Sequence, residues 1–172
     1  MRQPAVANSF YPGSPKALER TITTFLPAGY ESGKEKSIAV VSPHAGYVYS
    51  GELAAKTLGS IIIPETVVII GTNHRGAGLP VALSTKIWNM PFGPVAVDSD
   101  FSNILLANSS QIKQDETAHN SEHSLEVQIP FLQYFQKKLS IVPLAISHIS
   151  LPTCLEVGKS IADAVKQSGK SV

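Results

Sequence analysis

The chain has 172 residues, of which 43% are hydrophobic and 16% are charged, and its formal net charge is +1. This apolar content excludes an intrinsically disordered chain. The near-neutral charge provides no basic surface, so we expect neither nucleic acid nor a membrane as a partner. Met1 to Val6 lack the apolar stretch of a secretory signal, and the chain's single cysteine cannot form an intrachain disulfide, so we expect a cytoplasmic protein.

The first half of the chain has the spacing of alternating helices and strands. Ser14 and Pro15 are typical of a helix start, with an N-cap residue followed by proline at the first helical position. Short apolar runs at 38–42 and 67–70 predict two buried strands, and helical spacing over 51–63 predicts a helix between them. This order predicts a right-handed βαβ unit whose two strands are adjacent and parallel.

The second half continues this alternation. Its pattern predicts short strands at 81–84 and 94–97, a helix capped by Ser99, and a polar loop at 108–122. A helix over 127–135 that contains Pro130 and a strand at 139–146 follow. The last helix is predicted to stop at Ser168 and Gly169. Together the elements predict a three-layer α/β fold, with a central, mostly parallel sheet and helices on both faces. We expect one domain over 1–172, incomplete at its C-terminus because 170–172 has the pattern of a strand that has only begun.

Two histidines follow the two strands of the predicted βαβ unit. His44 lies in the turn after 38–42, and His74 lies in the turn after 67–70. Neighbouring parallel strands end at the same edge of a sheet, where open α/β sheets bind ligands, so we expect both imidazoles to face one pocket. Two neutral imidazoles suit Zn or Fe(II), and a further ligand would complete a metal site open to substrate. The alternative is that each residue is an ordinary loop histidine.

The run 122–128 is the best local source of a third chemical group. On a helix His123 and Glu126 would share a face, which makes each a candidate acid, base or extra ligand. We assign the catalytic role to His123 and a pocket position to Glu126. The alternative for Glu122 and Glu126 is that their carboxylates cap a helix start. Tyr47 either closes the pocket or packs in the core.

The remaining polar side chains divide between structural roles and a second kind of pocket. His119 and His148 are interpreted as structural or solvent-facing, and Cys154 as a small core residue of the last helix. Asn73 is assigned to the pocket. Arg75 supports a different class of function, a noncatalytic module in which its guanidinium and the amides of a Gly-rich turn hold a phosphate or carboxylate of a peptide.

Five motifs in a fixed order carry a family resemblance over essentially the whole chain. They are QPAVANSFYP at 3–12, PHAGY at 43–47, NH at 73–74, PFG at 91–93 and EHSLE at 122–126. In this order they resemble the MEMO family, whose prokaryotic members are labelled AmmeMemoRadiSam system protein B. Asn8 stands where the family usually has Gly, a mild change because Asn tolerates a left-handed backbone well, and Thr72 stands where Pro is common.

The resemblance implies a fold similar to the class III extradiol, LigB-type, non-haem iron dioxygenases. It implies that His44 and His74 match two metal-binding histidines, with Fe(II) or another divalent metal as cofactor and a dioxygenase-like, metal-dependent oxidoreductase as the enzyme class. Members are described as binding phosphotyrosine peptides or as accompanying a radical-SAM protein. The expected partners are therefore a small molecule or a phosphopeptide, and a radical-SAM protein, while a homo-oligomer stays open.

Length is the main departure from that family. Its members continue past the position of Val172 with a strand, a loop that bears a histidine, and a cysteine that supplies the third metal ligand. Cys154 belongs to a different motif, so this third ligand is missing from the chain. We therefore expect a truncated member that binds metal weakly.

Overall fold

A computed structural model describes all 172 residues as five α-helices around one five-stranded sheet. The helices are α1 (Pro15–Phe25), α2 (Tyr47–Gly59), α3 (Ser99–Ala107), α4 (Ile129–Phe135) and α5 (Leu151–Ser168). The strands are β1 (Thr66–Thr72), β2 (Val81–Leu83), β3 (Ala96–Val97), β4 (Lys113–Gln114) and β5 (Ser140–Ile146). Single 3-10 turns lie at Thr117–His119 and Glu126–Gln128. No helix combines the length and the apolar composition that spanning a bilayer requires.

The sheet is built around β5. This strand pairs in parallel with β1 and β3 and antiparallel with β2, and β2 pairs in parallel with β4. The pairing of β1 with β5 runs without a break from Thr66 opposite Ser140 to Thr72 opposite Ile146. Three of these four pairings are parallel, in agreement with the predicted α/β class.

Side chains of β5 alternate between two apolar clusters, one on each face of the sheet. Ile141 and Ala145 pack into a cluster formed with α1, α2 and α4, whereas Val142 and Leu144 pack into a second cluster formed with α3 and α5. All four side chains are fully buried. Because each large apolar side chain contributes roughly 1.5–3 kcal/mol when buried, the two clusters hold the three layers together and confirm the predicted layering.

Residues 38–42 do not form a strand, so this prediction was wrong. The segment pairs with no strand, and Ile38 and Val41 are fully exposed, with fractional exposures of 102% and 96%. The strand predicted beside it, β1, pairs with β5 and leaves its other edge open. The predicted βαβ pairing is therefore also wrong. An apolar run indicates that a segment tends to be buried, but it does not specify which strand it pairs with. Strand pairing depends on contacts with residues distant in sequence.

Several predicted helix boundaries and backbone features are confirmed. Ser14 caps α1, and its side chain accepts a hydrogen bond from the backbone N–H of Ala17. Pro130 lies in the first turn of α4, where its missing N–H costs no helical hydrogen bond. Gly169 ends α5 in the left-handed conformation, with φ of 63°. Asn8 also has a left-handed backbone, with φ of 66°, as its place in a glycine position predicts.

Other boundaries differ from the prediction. α2 begins at Tyr47 rather than near residue 51, because Gly46 is extended and the chain turns into the helix directly after it. α3 is capped by Asp98 rather than Ser99, and the Asp98 carboxylate accepts a hydrogen bond from the backbone N–H of Phe101 at 3.0 Å. The predicted polar loop at 108–122 contains β4 and one 3-10 turn.

Candidate metal centre

Three histidine rings meet beyond the carboxyl end of β1. The ring centroids of His44 and His74 are 5.2 Å apart, those of His74 and His123 are 4.6 Å apart, and those of His44 and His123 are 6.0 Å apart. The structure therefore brings together the two histidines predicted as metal ligands and the one predicted as the catalytic group. Their loops converge although residues 38–42 do not form the strand that was expected to carry His44.

Backbone hydrogen bonds fix the two loops that bear the first two rings. The loop with His44 leads into α2, whose first backbone N–H donates to the carbonyl of Phe10 at 2.8 Å. His74 follows β1 closely, and the backbone N–H of Asn73 donates to the carbonyl of Ile146 at 2.8 Å. This bond extends the ladder between β1 and β5 to the residue before His74, so the ring is carried by a rigid strand end.

The segment that carries His123 packs directly on the end of β1. The hydroxyl of Ser124 donates to the carbonyl of Thr72 at 2.9 Å. Gly71 lies under this contact, and a Cβ atom at Gly71 would lie 2.5 Å from the Ser124 hydroxyl and 2.6 Å from a methyl of Leu125. Glycine at this position therefore permits the close approach that places His123 beside the strand end.

A buried carboxylate, Glu122, lies against two of the rings. It accepts hydrogen bonds from the backbone N–H groups of His74 at 2.7 Å, His123 at 2.8 Å and Ser124 at 2.7 Å, and one oxygen lies 2.9 Å from Nδ1 of His74. Burial alone would raise the pKa of Glu122, but the hydrogen bonds from Ser124 and His74 outweigh it and lower this pKa to about 2. Glu122 is therefore ionised at neutral pH.

The imidazole of His123 is held in the neutral form. Its side chain is 21% exposed, and the ring of Phe10 packs edge-on against it with centroids 4.9 Å apart. Burial lowers the pKa of His123; the Glu122 carboxylate opposes this shift, while the other two imidazoles and Arg75 reinforce it. A neutral imidazole keeps one nitrogen lone pair free to bind a metal ion or to accept a proton.

A cavity of about 560 Å³ opens beside the rings. Its lining includes the imidazoles of His44 and His123 and the apolar surfaces of Phe10, Pro43 and Tyr49. This combination of apolar walls with a few convergent polar groups is typical of a small-molecule site. A second cavity, of about 310 Å³ between α1 and α4, contains no histidine or cysteine.

The other residues assigned to the pocket from the sequence do not line this cavity. Tyr47 is buried in the core, where its hydroxyl donates to the carbonyl of Val127 at 2.9 Å and burial raises its pKa well above the usual range. Asn73 is also buried, and its amide donates to the carbonyl of Ala77 at 2.7 Å. Arg75 is exposed on the loop that follows β1.

Glu126 belongs to a separate, fully buried ion pair. Its carboxylate lies 2.8 Å from the guanidinium of Arg2 and accepts hydrogen bonds from the hydroxyl of Tyr11 at 2.7 Å and from the backbone N–H groups of Ala5 and Val6 at 2.8 and 3.1 Å. Because these donors fix the N-terminal segment on the core, the structure supports a structural role for Glu126 rather than the pocket position assigned from the sequence.

The two remaining histidines and the single cysteine lie away from the three rings. His119 is buried with Nε2 3.0 Å from the carbonyl of Ala82, and His148 is exposed, in agreement with their interpretation as structural and solvent-facing residues. Cys154 was predicted to lie in the core, but it is exposed, because the buried residues of α5 begin only at Val157, one turn further along the helix. None of these residues joins the three-ring cluster.

The fold and this cluster define a class of protein: a three-layer α/β domain with a histidine-rich pocket at the carboxyl end of a sheet strand. Residues 2–172 match the family model described as Memo-like protein. The chain belongs to the Memo-like family, which confirms the resemblance seen in its motifs.

Relatives with curated names support this assignment. MEMO1 family proteins from Methanococcoides burtonii, Archaeoglobus fulgidus and Methanosarcina acetivorans are 47%, 44% and 42% identical to the chain. The alignments cover 100%, 100% and 99% of the chain but 64%, 64% and 63% of these relatives. The chain therefore spans a little less than two thirds of the length of the curated relatives it matches.

Proposed function

We propose that the chain binds a divalent metal ion through the imidazoles of His44 and His74, with His123 as the neighbouring acid or base. The observation that carries this proposal is the convergence of three imidazoles, all within 6.0 Å centroid to centroid, two of which, His44 and His123, line a cavity. Clusters of imidazoles with open positions are typical of Zn and Fe(II) sites.

The spacing of the rings fits a shared ion. Two imidazoles that bind one ion at nitrogen distances of about 2.1 Å have ring centroids roughly 4.5–5.5 Å apart. The pair His44 and His74, at 5.2 Å with planes inclined by 60°, satisfies this condition. His123 is 4.6 Å from His74, inside that range, and the ligand atoms of His74, Glu122 and His123 lie within 4.8 Å of one another. Its ring is 6.0 Å from His44, slightly beyond the range, so we assign His123 the acid or base role beside an ion that His44 and His74 share.

The finer proposal is a Fe(II)-type, dioxygenase-like oxidoreductase that acts on an oxygen-containing small molecule. A bound divalent ion supplies Lewis-acid chemistry and a place to bind oxygen atoms. Phe10, Pro43 and Tyr49 would enclose the apolar part of such a molecule. The neutral imidazole of His123 would accept a proton from it at the cavity wall.

Titration with metal alone tests the proposal. We expect the wild-type chain to bind about one equivalent of Zn²⁺ or, without oxygen, Fe²⁺, and the double substitution His44→Ala with His74→Ala to weaken binding by at least about 100-fold. His148→Ala removes an exposed imidazole outside the cluster and is the matched control. Unchanged uptake in the double variant, measured by calorimetry and metal analysis, would show that the ion lies elsewhere.

One observation favours a second candidate, a noncatalytic module for phosphorylated or carboxylate-bearing peptides. The exposed guanidinium of Arg75 helps to lower the pKa of the His123 imidazole, so a cation lies near the ring cluster, although it does not line the cavity. Peptide binding that inorganic phosphate competes away, that persists after chelation and that Arg75→Ala abolishes would favour this module. Metal uptake without peptide binding would favour the metal centre.

A further inference from the structure

We propose that Glu122 is a positioning residue that fixes the tautomer and orientation of His74, and that it is not itself a metal ligand. The inference deepens the proposed function, because it concerns how the chain prepares one imidazole to bind an ion. The alternative is that Glu122 is itself a ligand, because the ligand atoms of His74, Glu122 and His123 lie within 4.8 Å of one another.

The hydrogen bonds of Glu122 argue against a ligand role. Oε1 lies within 2.9 Å of three donors, on His74, His123 and Ser124, and Oε2 accepts from the backbone N–H of His74 at 2.7 Å. The side chain has no exposed surface. Binding an ion through Oε1 would displace at least one of its donors, at a cost of roughly 1–3 kcal/mol, and Oε2 has no exposed surface through which an ion could reach it.

The same contacts determine which nitrogen of His74 carries the proton. Both oxygens of Glu122 already accept backbone N–H groups and so act as acceptors, and the 2.9 Å contact with Nδ1 of His74 therefore requires the proton to be on Nδ1. The lone pair of the neutral ring is then on Nε2, the nitrogen left for a metal ion. A carboxylate bound to the far nitrogen of a ligating histidine is a common way to orient the ring and raise its basicity.

The position of Glu122 is itself fixed on its backbone side. The guanidinium of Arg2 donates to the carbonyl of Glu122 at 2.7 Å, and the hydroxyl of Ser124 ties the same segment to the carbonyl of Thr72 at the end of β1. These two contacts fix the backbone that carries the Glu122 carboxylate, whereas the side chain of His74 is 38% exposed. A fixed acceptor next to a partly exposed ring is the arrangement expected of a positioning residue.

Nitrogen NMR of the metal-free protein tests the tautomer directly. At about pH 8, where an ordinary imidazole is neutral, we expect wild-type His74 to carry its proton on Nδ1. Glu122→Ala should shift His74 towards the Nε2-protonated form, and Glu122→Gln, which keeps one acceptor oxygen, should give an intermediate state. Predominant protonation of Nε2 in the wild-type chain would overturn the proposal. Because this measurement uses the wild-type chain alone, it does not depend on whether the variants fold.

Metal affinity supplies the second measurement. We expect Glu122→Ala to weaken Zn²⁺ binding by about 10–100-fold and Glu122→Gln to weaken it less. Glu116→Ala is the control: its carboxylate accepts from the backbone N–H of Thr85 and Lys86 and from the hydroxyl of Ser84, but it contacts none of the three rings. It should lower stability and leave both the His74 tautomer and Zn²⁺ affinity unchanged.

The two proposals fail in distinguishable ways. If wild-type protein binds no metal but His74 shows the Nδ1 tautomer that depends on Glu122, the metal function is wrong and the positioning role stands as a property of the chain. If metal binds through His44 and His74 but Glu122→Ala changes neither tautomer nor affinity, the positioning role is wrong. Loss of affinity by more than about 1,000-fold, as for a lost ligand rather than a lost supporting group, would also overturn it.

Discussion

Two buried carboxylates lie four residues apart, and their surroundings give them opposite characters. Glu126 faces a permanent cation, the guanidinium of Arg2, inside the core. Glu122 faces the Nδ1 of His74, a ring that is 38% exposed. Both side chains are fully buried and both accept several hydrogen bonds. The two carboxylates share residue type and burial and differ in the chemistry of their partners, and it is this difference on which the proposed role of Glu122 rests.

The ion pair between Arg2 and Glu126 is the more sensitive of the two regions. The Arg2 guanidinium also donates to the carbonyls of His119 and Glu122 and lies 3.9 Å from the centroid of the Trp88 ring. Removing the charge of Glu126 would leave a cation that is 95% buried and that has no other carboxylate within 4.0 Å. The region around Glu122 adjoins solvent through its imidazoles, so changes there disturb chemistry before they disturb the fold.

The largest expected effect follows from breaking the Arg2 pair. Glu126→Gln keeps the shape of the side chain but leaves the guanidinium unpaired, and we expect the free energy of unfolding to fall by about 3–5 kcal/mol in urea denaturation. The control is the double variant Arg2→Met with Glu126→Gln, which should lose less than the sum of the single changes. Additive losses would show that the two side chains do not depend on each other.

A smaller loss is expected when Glu126 keeps its charge but loses one donor. The hydroxyl of Tyr11 donates to Glu126 at 2.7 Å in a buried position, and burial together with this carboxylate raises the pKa of Tyr11. Tyr11→Phe should lower the free energy of unfolding by roughly 1.5–3 kcal/mol, the value of a hydrogen bond to a charged group. Thermal denaturation measures the loss, and unchanged Zn²⁺ affinity in the same variant would show that the two regions are independent.

Acid should reveal the other carboxylate. The folded pKa of Glu122 is about 2, below its ordinary value of 4.5, so its stabilising effect is complete above pH 4.5 and is lost as the pH falls through about 2. We expect the stability difference between wild type and Glu122→Gln to shrink by about 1–2 kcal/mol over that interval, less than the full shift would give because the neighbouring ring is partly solvated. Urea denaturation at a series of pH values measures it. A difference independent of pH would contradict the low pKa.

The smallest effect on stability is expected at the rings themselves. His44 is partly exposed and its loop is fixed by backbone contacts, so His44→Ala should change the free energy of unfolding by less than about 1 kcal/mol while metal uptake falls sharply. Differential scanning calorimetry and metal titration on the same sample separate the two quantities. A large loss of stability would place His44 with the structural group and remove the contrast.

Much of the fold could be predicted from local signals. The cap at Ser14, the strand at 140–146 and the glycine stop at Gly169 each depend on neighbours in sequence, and each was found. The prediction of a strand at 38–42 was wrong because an apolar run has no local feature that indicates whether a partner strand is present. The exposure of Cys154 was missed because its spacing from Val157 predicts the same helix face, whereas burial of that face begins one turn later.

The candidate site was predictable only in part, for the same physical reason. His44 and His74 do meet as expected, but the strand pairing from which their meeting was predicted is absent, and the different surroundings of Glu122 and Glu126 were not predicted. These surroundings are set by residues distant in sequence, Arg2 beside the carboxylate of Glu126 and His74 beside the carboxylate of Glu122. Phe10 was likewise missed as a neighbour of the rings, and its only signal was its place in the first motif.

The buried Arg2 also changes how the start of the chain has to be handled. The first residues of most domains can be trimmed or fused to a label without consequence, since they are poorly ordered. Here Met1 is exposed while the very next side chain neutralises a carboxylate in the core. Proteolytic clipping of two residues would therefore act like a core substitution, and a purification tag would be better placed away from this end.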